Sequence, residues 1–171
     1  VAAVAVAAVA VVVEEDRIET KYINDIVWKK ISGLEFDNQN AELTFSKRLA
    51  RENRWPHWYA LDVIEEYRKF LYLLQRAKHP VTPSIEVDQV WHLHLTYSEF
   101  YWEDFAKGMP VKPHHGPTRG GSDEDNKFID WYAKTLESYE QIFGNKPPVH
   151  IWPSKDERFR ANQSWAWIDA S

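Results

Sequence analysis

The sequence predicts an all-α fold, a bundle of about five helices with a histidine-containing loop and an extended C-terminal tail. Three observations predict it. Apolar residues recur at three- and four-residue spacing along most of the chain from residue 14 onward. Glycine, proline, hydroxyl and acidic residues stand where such stretches would start and stop. No run alternates apolar and polar residues as a half-buried strand would. The 171 residues are enough for one core, and nine Trp, eight Tyr and eight Phe make that core dense in buried area per residue.

The elements follow in chain order. Ile18, Tyr22, Ile26, Val27, Lys30 and Ile31 form one stripe, and Gly33 is placed to end that first helix. A polar loop from Glu35 to Asn40 leads to a shorter helix carrying Leu43, Phe45 and Leu49, interrupted at Trp55-Pro56. Leu61, Ile64, Tyr67, Arg68, Leu71 and Leu74 mark a third helix that runs to Lys78 and stops at His79-Pro80. Thr82-Pro83 reads as N-cap and first residue of a fourth, which runs to about Ala106. Residues 107–122 are loop, rich in Gly and Pro. Ser122 with Asp125 opens a last long helix through Phe128, Trp131, Tyr132, Thr135, Leu136, Tyr139 and Phe143, closed by Gly144. An extended tail, residues 147–171, straps over the helical domain of residues 14–146.

Composition excludes several classes of function. Twenty-six acidic against 21 basic residues leave a net charge of -5, so no phosphate-neutralising surface is expected and nucleic acid is excluded as a partner. The absence of cysteine removes disulfides, thiolate nucleophiles, iron–sulfur clusters and thiolate zinc knuckles. No Gly-rich loop with a lysine follows a strand, and no serine elbow with a paired histidine is visible.

Residues 1–13 are only valine and alanine, followed at once by Glu14-Glu15-Asp16. As a helix they would span roughly 20 Å, short of the ~30 Å hydrocarbon core. They read as the end of a membrane anchor, as a non-native stretch, or as a helix in its own right. The first reading makes the protein membrane-associated through its N-terminus; the alternative is a cytoplasmic protein.

Chemistry concentrates in residues 87–121, which hold four of the seven histidines. On one helix His92 and His94 lie about 200° apart, so both cannot face one ion. His94 shares the apolar face of Val87, Val90, Tyr97, Tyr101 and Phe105. His92 shares its face with Asp88, one turn earlier. Such a pair supplies two metal ligands, or one ligand and its orienting carboxylate, and the loop can bring His114 or His115 over it. Three protein ligands with open positions suit a divalent metal, zinc or iron. A metal-free buried polar network and no shared role at all are the alternative readings of the same residues.

Val87-Asp88-Gln89-Val90-Trp91-His92-Leu93-His94-Leu95, then His114-His115-Gly116-Pro117-Thr118-Arg119-Gly120-Gly121, then Trp131-Tyr132, Thr135-Leu136 and Tyr139, and finally Phe143-Gly144, Pro147-Pro148 and Ile151-Trp152-Pro153 resemble the glycine-rich domain-containing protein-like family of bacteria and plants. The resemblance covers roughly residues 40–160 and implies no established activity. The chain has six glycines and no glycine-rich tail.

The expected function is that of an accessory or interaction subunit, tethered through residues 1–13 to a membrane protein complex or other protein partner, with a histidine metal site. The alternative is a metal-dependent hydrolase or oxygenase using Asp88, His92 and His114 or His115. Deleting residues 1–13 is expected to leave the melting temperature unchanged within error while moving the protein from the membrane to the soluble fraction on cell fractionation. Unfolding of the truncated protein would make the segment a core helix instead.

Overall fold

The computed structural model describes residues 22–116 and 122–164. Seven helical segments follow in order: α1 (Ile26–Ser32), α2 (Phe45–Asn53), α3 (His57–Arg76), α4 (Ile85–Thr96), a π-helical turn (Phe100–Ala106), α5 (Ser122–Phe143) and α6 (Lys155–Ser164). No strand occurs among the described residues, so the fold is all-α. The 20-residue α3 is the axis on which α1, α2, α4 and α5 pack. Its inward side is almost continuous in sequence, with Phe70, Leu71, Tyr72 and Leu73 all buried.

Helix boundaries follow from side-chain caps. Expected to run unbroken from before Tyr22, the first stripe is interrupted, because Asp25 accepts from the Val27 amide at 2.8 Å and starts α1 afresh. Ile26 is consequently exposed, while Val27 and Ile31 are buried. Residues 14–21 lie outside the described residues. The Asp25 carboxyl is pulled down to about 2, first by the Arg76 guanidinium at 2.7 and 2.8 Å, with the Val27 amide and Tyr72 hydroxyl adding to it. Thr44 caps α2, which ends on Arg54 in the left-handed region at φ 57° before Trp55-Pro56.

Three expectations are corrected in the second half. The cap of α4 is Ser84, not Thr82: the Ser84 hydroxyl accepts from the Val87 amide at 3.2 Å, while Thr82, two residues earlier, donates its amide to the Thr135 hydroxyl of α5 at 3.0 Å. That helix does not run to Ala106. It ends at Thr96, and the chain re-enters as a π-helical turn that puts Tyr101, Phe105 and Ala106 inside together. The tail is not extended throughout: Ser154 and Glu157 form a capping box, with bonds of 2.7, 3.0 and 3.4 Å between them, and start α6. The expected cap pair Ser122 and Asp125 lies outside the described side chains, whereas Gly144 does close α5, at φ 76°.

Before α6, the tail straps the core through Ile151 and Trp152, both buried. The Trp152 indole N–H donates to Glu66 of α3 at 2.9 Å, and so does the Tyr139 hydroxyl of α5, also at 2.9 Å. Lys69 adds an ammonium at 2.8 Å, completing the charge pairing of a buried carboxylate. Burial, and then Glu66, push the Tyr139 hydroxyl well up, so it stays a donor.

The other buried polar centre is His94, fully enclosed by Phe36, Phe45, Phe100, Tyr101 and Phe105 and bonded through Nδ1 to the Tyr67 hydroxyl at 3.0 Å. Its Nε2 has no partner. Burial, helped by the charge of Arg68, pushes its pKa down to about 3. The ring is neutral in the folded protein.

Both centres give expected outcomes. Glu66→Ala leaves two buried donors, Tyr139 and Trp152, without their acceptor and the half-buried Lys69 without its counter-charge, and should cost about 3–5 kcal/mol in urea denaturation, with Glu66→Gln losing less. For His94, an unfolded chain binds its proton near pH 6.5 while the folded one resists to about pH 3. Stability is therefore fully present above pH 6.5 and falls as the pH drops through that window, by at most ~1.4 kcal/mol per pH unit from this group. His94→Gln should flatten the acid limb of a stability-versus-pH series; an unchanged slope would assign the acid sensitivity to other groups.

Candidate metal centre

The two faces of α4 are chemically opposite. Val87, Val90, Leu93 and His94 turn into the core, which leaves Asp88 and His92 outward on adjacent turns. Their nearest atoms, Asp88 Oδ2 and His92 Nε2, are 3.6 Å apart.

The loop after the π-helical turn is then pinned at two points. The Gln75 side-chain amide, in the last turn of α3, pairs with both backbone groups of Val111 at 2.9 Å. Two residues on, the Pro113 carbonyl accepts from the Tyr101 hydroxyl at 2.8 Å, and that hydroxyl accepts from the Trp91 indole at 3.1 Å. With residues 111 and 113 held, His115 falls on Asp88, its Nε2 2.8 Å from Oδ1. The His115 ring meets Trp91 edge-on at 4.7 Å and lies 4.5 Å from the His92 ring.

One ligand atom from each of Asp88, His92 and His115 lies within 4.8 Å of the others, so the group could hold a metal ion. Two imidazole nitrogens and one carboxylate oxygen are a zinc- or iron-type donor set. Ligand atoms about 2.0–2.1 Å from a tetrahedral ion lie roughly 3.3 Å from one another. Each Asp88 oxygen already lies near that spacing from one imidazole, Oδ1 at 2.8 Å from His115 and Oδ2 at 3.6 Å from His92, and binding draws the three ligand atoms in from within 4.8 Å of one another. Asp88 and His115 are 24% and 21% exposed and His92 is 50% exposed, so the centre is supported from below and open on the His92 side. Nearby, the Glu86 carboxyl is pushed up by burial. Arg158, anchored by Nε on the Pro83 carbonyl at 3.0 Å, is lowered by burial but feels the carboxylates of Asp88 and Glu86.

Of the two loop histidines, His115 joins the group. His114 does not; it is exposed, with its ring against Trp102 at 5.4 Å. His94, kept apart from the site on helix geometry, is in the core. Sequence reasoning missed Gln75, Tyr101 and Trp91 as the residues that place His115. Gln75 acts from 36 residues away, and no local spacing signals such a bond.

Comparison with known proteins gives a partial likeness. The chain is 26% identical over 90 residues to Glycine-rich domain-containing protein 1 of Arabidopsis thaliana and 22% identical over 90 residues to Glycine-rich domain-containing protein 2 of the same plant. Each match covers 50% of this chain and 11% of the relative, so the chain corresponds to a small part of much longer proteins. No family model and no solved structure matches. The likeness supports a suggestion at the level of the family and no more.

Proposed function

We propose that the chain is a metal-binding accessory module, a helical domain that holds one divalent cation of the zinc or iron class on Asp88, His92 and His115 and serves a larger protein assembly through protein contacts. The observation that carries the reading is the convergence of these three donors within 4.8 Å on a face held by two independent loop anchors. Its likeness to 11% of two longer proteins supports a modular role. Membrane tethering belongs to the same proposal and rests on the Val/Ala composition of residues 1–13, which lie outside the described residues. Among the described residues no helix is long and apolar enough to cross a membrane.

A second reading, a metal-dependent hydrolase or oxygenase, is favoured by the exposure of His92, which leaves coordination positions free for water or substrate. In that case Asp88 and His115 would hold the ion from the half-buried side, and turnover would require the metal.

Zinc titration of the protein, read by elemental analysis and by the change in tryptophan fluorescence, is expected to show one equivalent bound. His92→Ala and His115→Ala should each weaken binding at least tenfold, because two protein ligands rarely hold zinc. Asp88→Asn should weaken it as well. His114→Ala and His94→Gln should keep the metal, the latter with lowered stability. Ligand imidazoles bind metal only when deprotonated, so affinity should fall on acidification. A parent protein that takes up no zinc or iron overturns the centre, and full binding by His115→Ala overturns the ligand set.

A further inference from the structure

The connection between α3 and α4 runs along α5 and meets it twice. Thr135 accepts from the Thr82 amide, and one turn further on the Ser138 hydroxyl lies 2.7 Å from His79 Nε2. The other ring nitrogen of His79, Nδ1, lies 2.8 Å from the Pro80 carbonyl. A proline carbonyl can only accept, so Nδ1 carries the hydrogen. In the neutral ring Nε2 is then the acceptor, and the hydrogen in the 2.7 Å contact belongs to Ser138. Thr135 shows the usual alternative for a hydroxyl in a helix, donating to the Trp131 carbonyl one turn back at 2.8 Å. Ser138 instead aims its proton at an imidazole nitrogen whose tautomer is set from behind. Both residues are half-buried, so the pair is held at the surface of the bundle rather than sealed in its core.

We propose that Ser138 and His79 form a nucleophile–base pair, oriented by the Pro80 carbonyl, that accepts acyl groups from small activated esters. Nucleophile, base and orienting acceptor stand in the order that acyl transfer requires, with a backbone carbonyl where a carboxylate is more familiar. Ser138 Oγ attacks the ester carbonyl as its proton passes to His79 Nε2. The tetrahedral adduct then expels the alcohol or phenolate, which takes that proton back from Nε2, leaving Ser138 acylated and the ring neutral. Water, giving a proton to the same nitrogen, attacks the acyl carbonyl, and the adduct expels Ser138 Oγ, which takes that proton back as the carboxylic acid leaves. The backbone amides around Ser138 are engaged in the helix, so no backbone oxyanion hole serves the adduct. Lys134, one turn before Ser138, is paired with Asp130 at 2.7 Å and does not serve it either. Accumulation of acyl serine with slow hydrolysis is therefore expected, not fast turnover.

The test is acetylation by p-nitrophenyl acetate, followed by intact mass and peptide mapping, with circular dichroism and melting temperature as fold controls. The expected result is one acetyl group on Ser138 in the parent and none there in Ser138→Ala. His79→Gln should slow labelling at least tenfold, since general-base assistance contributes 10²–10⁴-fold. His79→Asn, which keeps a donor for the Pro80 carbonyl but offers no ring nitrogen to Ser138, should do the same if His79→Gln alters the fold. Thr135→Val and His92→Ala should label like the parent, which separates this site from the metal centre. Acetylation confined to lysines, or equal Ser138 labelling in folded His79→Gln or His79→Asn protein, overturns the proposal.

Discussion

The carboxylate of Glu66 is the constraint on which the rest of the fold depends. A buried charge is tolerable only when its lone pairs are engaged, and Glu66 takes its donors from three parts of the chain: Lys69 on its own helix, Tyr139 on α5 and Trp152 in the tail. One acceptor thereby fixes how α5 lies on α3 and where the tail crosses both. Apolar packing is non-directional, whereas the bonds from Tyr139 and Trp152 to one carboxylate fix the register of both elements on α3. The position of α5 in turn sets the path of the connection that carries His79, Thr82 and the cap of α4.

Helix α4 carries two histidines two residues apart in opposite environments. His94 is neutral among aromatic rings, and its cost is desolvation; His92 stands in water beside a carboxylate. Residue type does not decide which histidine can bind an ion. The helical period does, by placing one in a medium that rejects charge and the other where charge is hydrated and paired.

That division was legible in the sequence, as were α3, α5 and the closing Gly144, because all rest on spacing and local caps. The break after Thr96 was not. Tyr97, Tyr101 and Phe105 repeat every four residues, a pattern that a widened turn accommodates as well as an α-helical one. Nor could the sequence separate His115 from His114, since the choice is made by the bonds from Gln75 and Tyr101, which tertiary packing alone brings to the loop. The pairing of Ser138 with His79 joins positions 59 residues apart and leaves no local trace. The box of Ser154 and Glu157 that starts α6 is a local signal, but the proline-rich stretch before it points to extended chain and masks it.

The clasp of Gln75 on Val111 has a thermodynamic consequence. It imitates the paired bonds of a sheet between a helix end and a loop, so unwinding the last turn of α3 would also cost both bonds that hold the segment bearing His115. Whatever ligand engages His115 binds only the closed arrangement, and its occupancy adds RT ln(1 + [L]/Kd) to the free energy of opening it. By linkage, any opening of that helix end that released His115 would lower such a ligand's affinity, and saturation would suppress the opening by the same factor.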